Sequence, residues 1–283
     1  MTAPSLMQRS TDAPHAVPAN LAGAVSFAAA VLLLPVDIRL SAIPLCLFVL
    51  ACLAAPFCPT IGFFLPIISR GSAQKNGVAL TFDDGPDPLT TPSLLRLLSE
   101  YNARATFFVT GKKAALYPDL IKAMVASGHA IGNHTFNHDT LIMLKGRRAL
   151  DKEIGDTQRL LKTLGIATHL FRPPAGITNP ILGDILTAYK LVCINFSCRA
   201  FDAGNRRIRH LSKKIAASVR SGEIILLHDT APAGKPDEMV PRWLNEVEQI
   251  INELVNKGLS ILPLSEIIDM PVMTLDDNTT PHA

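Results

Sequence analysis

The chain has 283 residues, enough for one domain of ordinary to large size with an appendage. Its net charge is only +3, and no basic run is interleaved with aromatic residues, which argues against a nucleic-acid partner. The hydrophobic content of 48% is high for a soluble enzyme, and the excess lies near the N-terminus.

A long apolar region, residues 21–69, follows a polar segment of residues 1–20. No charged residue occurs from Ala16 to Val36, Asp37-Ile38-Arg39 interrupts, and Leu40–Ser69 is again free of charge. Because about 20 apolar residues cross a bilayer core, we predict a transmembrane helical hairpin that turns at Asp37-Ile38-Arg39. The expected location is a bacterial inner membrane. A signal segment is the alternative, but the apolar stretch is too long and no basic start directly precedes it.

The charges beside this region give the expected orientation. Two crossings place both termini on one side, where Arg9, Arg70 and Lys75 outnumber Arg39 on the other. Since positive residues favour the cytoplasm, the count favours a cytoplasmic location for the domain that follows the apolar region. One crossing followed by a re-entrant, proline-rich segment would instead place the domain outside.

The five cysteines predict neither a zinc–thiolate site nor a disulfide. Cys193 and Cys198 lie five apart in or just after a predicted strand, so their side chains should point to opposite faces.

After a predicted linker, residues 70–76, short apolar runs alternate with helical patterns over a predicted globular domain, residues 77–269, which the motifs described below mark as the catalytic domain. Seven runs are candidate strands: Val78–Phe82, Ala105–Val109, His129–Asn133, Thr168–Phe171, Leu191–Phe196, Glu223–Leu227 and Leu259–Leu262. Seven strand–helix repeats predict an α/β fold with a parallel barrel, and a doubly wound open sheet is the competing architecture. Residues 270–283 are predicted to form a disordered polar tail.

Polar residues lie at or shortly after the C-terminal ends of five predicted strands. These residues are Asp83 and Asp84, His134, Arg172, Asp202 and His228. Active sites of parallel barrels are built at that end of the strands, so the pattern favours a barrel.

Two motifs predict a metal site. Thr81-Phe82-Asp83-Asp84-Gly85-Pro86 sets two carboxylates on a turn, and His134-Thr135-Phe136-Asn137-His138 follows about fifty residues later. One carboxylate and two histidines form a common three-ligand set with open positions. We predict that Asp84 binds metal and Asp83 acts as base, with both imidazoles on one helical turn. An ordinary surface turn and two surface histidines are the plainer alternatives.

Two further motifs complete the expected chemistry. In Arg172-Pro173-Pro174-Ala175-Gly176, the prolines fix the backbone, so that Arg172 can orient Asp83 and a backbone N–H can face the substrate. In Ile224-Ile225-Leu226-Leu227-His228-Asp229, His228 follows an apolar strand and can act as general acid, held by Asp202. Either Leu226 or Leu227 can line a small apolar pocket. The sequence does not decide a role for Asp229.

The motifs TFDDGP, HTFNH, RPPAG and LLHD, in this order, resemble those of the polysaccharide deacetylases, the NodB-like carbohydrate esterase family 4. The resemblance covers about Gly77–Asp269 and implies a distorted (β/α)7 barrel with one divalent metal, zinc or cobalt. The roles that it implies are ligands Asp84, His134 and His138, base Asp83, acid His228, tuning residues Arg172 and Asp202, and groove residues Leu226, Pro174 and Ala175.

This sequence departs from the family pattern in the sugar groove. Family members often carry an aromatic residue where Ala175 stands, and a Trp where Ala203 follows Asp202. The only tryptophan here is Trp243, in a predicted helix. These changes remove walls of the groove.

The expected activity is removal of an N-acetyl or other small N-acyl group from an amino sugar of an envelope or lipid-linked glycan. An amidase or O-acetyl esterase with a different substrate is the alternative. A two-His-one-carboxylate iron oxygenase would have no use for Asp83 and His228. A non-catalytic membrane scaffold would not need the complete set of metal-ligand and acid–base residues.

Overall fold

The computed structural model describes residues 17–276 and begins with two apolar helices packed as a hairpin. Helix α1 spans Pro18–Leu33 and helix α2 spans Ile38–Ala54. The turn comes just before Ile38, because the Asp37 carboxylate accepts a hydrogen bond from the Arg39 N–H and caps α2. The part of the polar N-terminal segment that precedes Val17 lies outside the described residues.

Only one of these helices is long and apolar enough to cross a membrane by length and composition. This is the segment Ile38–Phe57, which joins α2 to the following turn, whereas α1 has 16 residues. The predicted transmembrane hairpin is therefore present as two helices, while its place in a membrane stays a prediction. Most large apolar side chains of both helices are exposed.

A parallel sheet forms the centre of the remaining chain. Its strands are β1 Ile67–Ile68, β2 Gly77–Asp83, β3 Thr106–Val109, β4 Ala130–Asn133, β6 Leu170–Phe171, β7 Val192–Ile194, β8 Cys198–Arg199, β9 Ile224–His228 and β10 Ser260–Ile261. The order is β1-β7-β6-β4-β3-β2-β9-β8, with β10 beside β2, and every pair is parallel. Among the described residues β1 and β8 are not paired with each other, so the sheet is a curled half-barrel.

Helices cover the outside of this sheet. They are α3 Thr91–Glu100, α4 Gly111–Leu116, α5 Pro118–Ala126, α6 Arg147–Thr163, α7 Leu182–Ala188, α8 Leu211–Ser218, α9 Pro236–Asn256 and α10 Leu264–Ile267. Leu94 of α3 and Trp243 of α9 are fully buried in the main core, which also contains Phe82 and Phe107 of the sheet. Burial of each large apolar side chain stabilises the folded state by about 1.5–3 kcal/mol. This packing fixes the strand ends that carry the site.

The strand count differs from the predicted seven for physical reasons. The predicted run Thr168–Phe171 is interrupted at His169, and its first part belongs to a separate strand, β5 Ile166–Thr168. Strands β1 and β8 have two residues each, too few for any period in the sequence to show.

The predicted tail also differs. Met273–Leu275 forms strand β11, antiparallel to β5, and both end residues of this strand pack against the main core. The prediction of disorder is wrong for this strand, because its apolar side chains have a surface to cover. Residues 277–283 lie outside the described residues.

The predicted linker 70–76 is docked on the sheet. The Gly71 N–H donates to the Gly222 carbonyl at 2.8 Å, and Arg70 forms an ion pair with Glu223, which is buried. Just before it, β1 pairs with β7 and Leu65 is buried in a core cluster with Phe171. The folded unit therefore begins before the predicted boundary at residue 77.

Truncation should reveal this boundary. A protein that begins at Gly71 is expected to unfold at lower urea concentration than one that begins at Pro56, because it lacks β1, Leu65 and the partner of Glu223. Burial of Leu65 alone contributes about 1.5–3 kcal/mol. Urea titrations followed by circular dichroism test this, and equal midpoints would show that residues 56–70 do not stabilise the fold.

Candidate active site

The parallel register brings the ends of β2, β4, β6 and β9 to one edge of the sheet. Asp83 at the end of β2 lies opposite His228 at the end of β9. Asn133 at the end of β4 lies opposite Phe171 at the end of β6. The next residues, Asp84, His134 and Arg172, consequently leave the sheet at the same edge.

Asp84, His134 and His138 form a cluster in which the potential ligand atoms lie within 4.8 Å of one another. An oxygen of Asp84, Oδ1, lies 3.0 Å from His138 Nε2 and 3.5 Å from His134 Nε2. This oxygen is buried and has no hydrogen-bond partner among the described residues. A cation between the three side chains would satisfy it.

The tautomer of His134 also fits a metal. Its Nδ1 lies 2.7 Å from the Arg172 carbonyl oxygen, which can only accept, so Nδ1 carries the hydrogen. The Nε2 lone pair is then directed at Asp84, and a histidine oriented by a carbonyl at its other nitrogen is typical of metal ligands. The residues present therefore fit a divalent metal.

Charge within the cluster shifts each pKa. Burial alone would raise the pKa of Asp84, but its contact with His134 and the imidazole charges hold it well below the usual range. Burial would lower the pKa of His134, and the negative charge of Asp83 raises it instead. Burial and the charge of His134 lower the pKa of His138. An ionised carboxylate and neutral imidazoles are the forms that bind metals, so the shifts of Asp84 and His138 favour binding, whereas His134 would have to release the proton that Asp83 stabilises.

The two histidines lie on a loop, which corrects the predicted helical turn. Thr135 and His138 have φ angles of 64° and 55°, in the left-handed region, so residues 134–138 are not helical. The rings still approach to 4.8 Å between centroids. The Asn133 side chain accepts from the Thr135 N–H at 2.9 Å and fixes the start of the loop.

Arg172 is fully buried and orients Asp83. Its Nη1 donates to Asp83 Oδ1 and to Thr81 Oγ1, both at 2.7 Å, and its Nη2 donates to the Asn195 carbonyl at 3.2 Å. The guanidinium also stacks on Phe108 at 4.0 Å. This leaves the other carboxylate oxygen, Oδ2, on the side of His134, 3.7 Å from its Nε2.

His228 pairs with Asp202 on the opposite side of the site. The His228 Nδ1 donates to Asp202 Oδ2 at 2.8 Å, and Asp202 is buried. Burial alone would lower the pKa of His228, but the hydrogen bond and charge of Asp202 raise it to about 9. The imidazole is therefore protonated at neutral pH and can donate a proton through Nε2.

Comparison with known proteins places this site in a family. A model of the polysaccharide deacetylase family matches residues 70–194. A chitooligosaccharide deacetylase of Sinorhizobium fredii is 36% identical over 181 residues, which cover 62% of this chain and 81% of that protein. A peptidoglycan-N-acetylglucosamine deacetylase of Bacillus cereus is 32% identical, covering 68% and 87%. The chain belongs to the polysaccharide deacetylase family.

The fold agrees with this assignment. The crystal structure of the Bc1960 peptidoglycan N-acetylglucosamine deacetylase superposes with a TM-score of 0.65 and 28% identity, over 73% of this chain and 94% of that one. As a polysaccharide deacetylase, the protein is a hydrolase that acts on the amide C–N bond of N-acetyl groups.

The three residues predicted for the groove of this polysaccharide deacetylase lie on β9 and in the loop after β6. Leu226 on β9 is buried, next to Thr81 of β2. Pro174 is buried and Ala175 is exposed, with a φ of 56° that is uncommon for a residue with a side chain. Pro173 and Pro174 hold the backbone before this residue, so its orientation is fixed.

Sequence reasoning left the role of Asp229 undecided. This residue is buried, and its carboxylate accepts hydrogen bonds of 2.6 Å from the hydroxyls of Thr90 and Thr91. Its N–H donates to the Asp83 carbonyl at 2.8 Å. Burial raises its pKa to about 6. Asp229 therefore joins the ends of β2 and β9 and positions Asp83.

Glu153 of α6 was missed altogether, since nothing in a helical pattern marks it. One oxygen of its carboxylate accepts from the N–H groups of Phe136 and Asn137 at 2.9 and 2.7 Å, and the other accepts from the Asn137 side chain. Glu153 thus holds the loop between the two metal-ligand candidates.

Removing this support should loosen the metal site. We expect Glu153→Ala to weaken divalent metal binding by about 10- to 100-fold, the usual effect of losing an outer partner. Titration with a competing chelator measures it, with Glu253→Ala on the exposed side of α9 as control. Unchanged affinity in Glu153→Ala would show that the loop keeps its shape alone.

A second test concerns Asp202. In Asp202→Asn the pKa of His228 should fall from about 9 towards its ordinary value, because the charge that raises it is gone. Since a general acid must be protonated, activity should decline at lower pH than in the wild type. The pH–rate profile of kcat/KM measures this, and an unmoved alkaline limb would contradict the role of His228.

Proposed function

We propose that this polysaccharide deacetylase is a metal-dependent enzyme that removes an N-acetyl or other small N-acyl group from an amino sugar. The main support is one arrangement: the unpartnered Asp84 oxygen between two imidazoles, with Asp83 and His228 on neighbouring strands. A single hydrolytic step needs a metal site, a base and an acid within reach of one amide.

The ligand set would be Asp84, His134 and His138, and the metal zinc or cobalt. A divalent metal held there would supply polarisation of the amide carbonyl and a lower pKa for a bound water. Asp83, oriented by Arg172 through Oδ1, keeps Oδ2 available to accept a proton from the attacking water.

His228 is placed to protonate the leaving amine. Its Nδ1 is occupied by Asp202, so the proton is delivered from Nε2. The exposed turn at Ala175 offers a backbone N–H beside the site for the developing oxyanion. The buried Leu226 limits the space for the acyl group and favours acetyl or formyl.

The natural substrate is an envelope or lipid-linked glycan. The relatives are named for chitooligosaccharide and for peptidoglycan N-acetylglucosamine. This chain has Ala175 and Ala203 where aromatic groove walls are common, so a less extended sugar chain is favoured. The apolar α1–α2 hairpin would hold the enzyme at a bacterial inner membrane, with a cytoplasmic domain on the charge count.

Acetate release tests the activity. Full-length protein in detergent, metal-free and then loaded with Zn²⁺ or Co²⁺, is assayed on N-acetylglucosamine oligomers, a lipid-linked N-acetyl amino sugar and acetyl xylan. Metal-dependent release from an amino sugar supports the proposal. Release of acetate from acetyl xylan alone would favour an O-acetyl esterase, which the missing aromatic groove walls leave as the alternative. If no substrate released acetate, hydrolysis of these three substrate classes would be contradicted.

A further inference from the structure

Residues 56–59 follow α2 and form the base of the apolar hairpin. They contact the loop after β6, which carries Pro174 and Ala175, and the end of β7. The Thr178 N–H donates to the Pro56 carbonyl at 3.3 Å, and the Asn195 side chain donates to the Pro59 carbonyl at 2.9 Å. Asn195 in turn accepts from Arg172, which holds Asp83. The hairpin therefore joins the fold beside the mouth of the site.

A second mouth loop exposes leucines next to this base. In the turn Ile142–Leu144 that follows β4, Ile142 and Met143 are buried in the same core cluster as Leu65, close after the hairpin. On either side, Leu141 and Leu144 are 61% and 84% exposed. Two large apolar side chains thus face outwards where the hairpin meets the domain.

A third mouth loop continues the surface around the hairpin base. A methyl group added to Gly176 would lie 3.2 Å from both Pro59 and the Phe196 ring, so these two residues flank the same loop. Arg199 stacks over Phe196 at 5.5 Å and over Phe201 at 4.2 Å. Phe201 follows β8 and is 64% exposed.

This third loop, together with the end of β8 and the first turn of α8, is strongly basic, and we call residues 199–214 the basic loop. Residues 199–214 contain six Lys or Arg and one acid in a chain whose total charge is +3: Arg199, Arg206, Arg207, Arg209, Lys213 and Lys214. None of the six forms an ion pair within residues 17–276. The one acid, Asp202, is buried against His228.

We propose that the mouth of the active site lies on an anionic bilayer surface, with Leu141, Leu144 and Phe201 in the interface and the basic loop on lipid phosphates. The inference rests on the proposed membrane anchoring and adds a docking surface to it. Aromatic and leucine side chains next to unpaired arginines are the composition of interfacial contacts. The surface is continuous with the hairpin, which would enter the bilayer at its edge.

The orientation has a consequence for substrate access. A site that opens towards the headgroup layer can bind amino sugars whose lipid carriers lie in the bilayer. The exposed residue Ala175 has only a methyl side chain, so the wall of the groove is short on that side. Polymers in solution would have to approach between the domain and the bilayer.

Tryptophan fluorescence in vesicles with brominated acyl chains tests the docking. Four full-length variants, Phe27→Trp, Leu144→Trp, Phe201→Trp and Val255→Trp, place one new indole each at exposed positions. The native Trp243 is fully buried and gives the same background in all of them. Position 27 reports on the hairpin, and position 255, in the last turn of α9, lies at the opposite end of the strands.

We expect loss of fluorescence at positions 27, 144 and 201 and none at 255. Loss at 27 alone would overturn the docking surface while the membrane anchor stands. No loss at any position would remove the anchor and the docking together, and loss at all four would indicate unspecific adsorption and overturn the proposal.

Charge provides a second readout. Arg206→Glu/Arg207→Glu in the Phe201→Trp protein should reduce the loss of fluorescence in vesicles that contain phosphatidylglycerol, whereas Lys257→Glu at the far end should not. Equal loss in both variants would show that the basic loop does not contact the lipid phosphates.

Discussion

Asp83→Asn is expected to lower kcat by about two to four orders of magnitude, the usual contribution of a positioned general base. An amide has nearly the shape of the carboxylate but cannot take a proton from water. The ligand candidates Asp84, His134 and His138 are unchanged, so metal content should stay at the wild-type level. Acetate release at saturating substrate, with metal analysis of the same sample, measures both.

Stability must be measured beside activity in this variant. Arg172 has no exposed surface, and Asp83 is the one carboxylate that pairs with it in the described part of the chain. Losing one partner of a buried ion pair costs about 3–5 kcal/mol. The assay therefore runs well below the unfolding midpoint of the variant. Wild-type turnover by folded Asp83→Asn would exclude Asp83 as the base.

Parallel strands explain how much of the site a sequence could predict. Asp83, Arg172 and His228 are far apart along the chain, yet each lies at the end of a short apolar run. In a parallel sheet such ends meet at one edge, so motif position alone predicts proximity. The register of β2 with β9 then sets the distance between the acid and the base.

Features that depend on the partner of a residue could not be predicted in this way. The loop Thr135–His138 looks helical by spacing, but the hydrogen bonds of Asn133 and Glu153 hold it open. The polar segment 70–76 reads as a linker because its Gly and Ser predict flexibility, whereas the carbonyl of Gly222 fixes it. Glu153 lies 17 residues from Phe136 and 16 from Asn137, and Gly222 lies 151 residues from Gly71, so no local pattern marks these partners.

The largest expected effect on the metal site is that of His134→Ala. Its Nε2 faces the unpartnered Asp84 oxygen, and its orientation is set by the Arg172 carbonyl. We expect the wild-type protein to hold about one divalent ion. Removal of a direct ligand should weaken binding by more than the about 10- to 100-fold typical of outer partners, and activity should be lost with it.

A second buried histidine supplies the matched control for this variant. His129 is as deeply buried as His134. Its Nδ1 accepts a hydrogen bond from the Ala105 N–H, and it lies at the opposite end of β4 from His134. His129→Ala should therefore lose stability and keep its metal. The protein should begin no later than Pro56, because a start at Gly71 removes β1 and the Pro59 contact with Asn195. Equal metal affinity in His134→Ala and His129→Ala would contradict the ligand assignment, since the two changes would then act only through the fold.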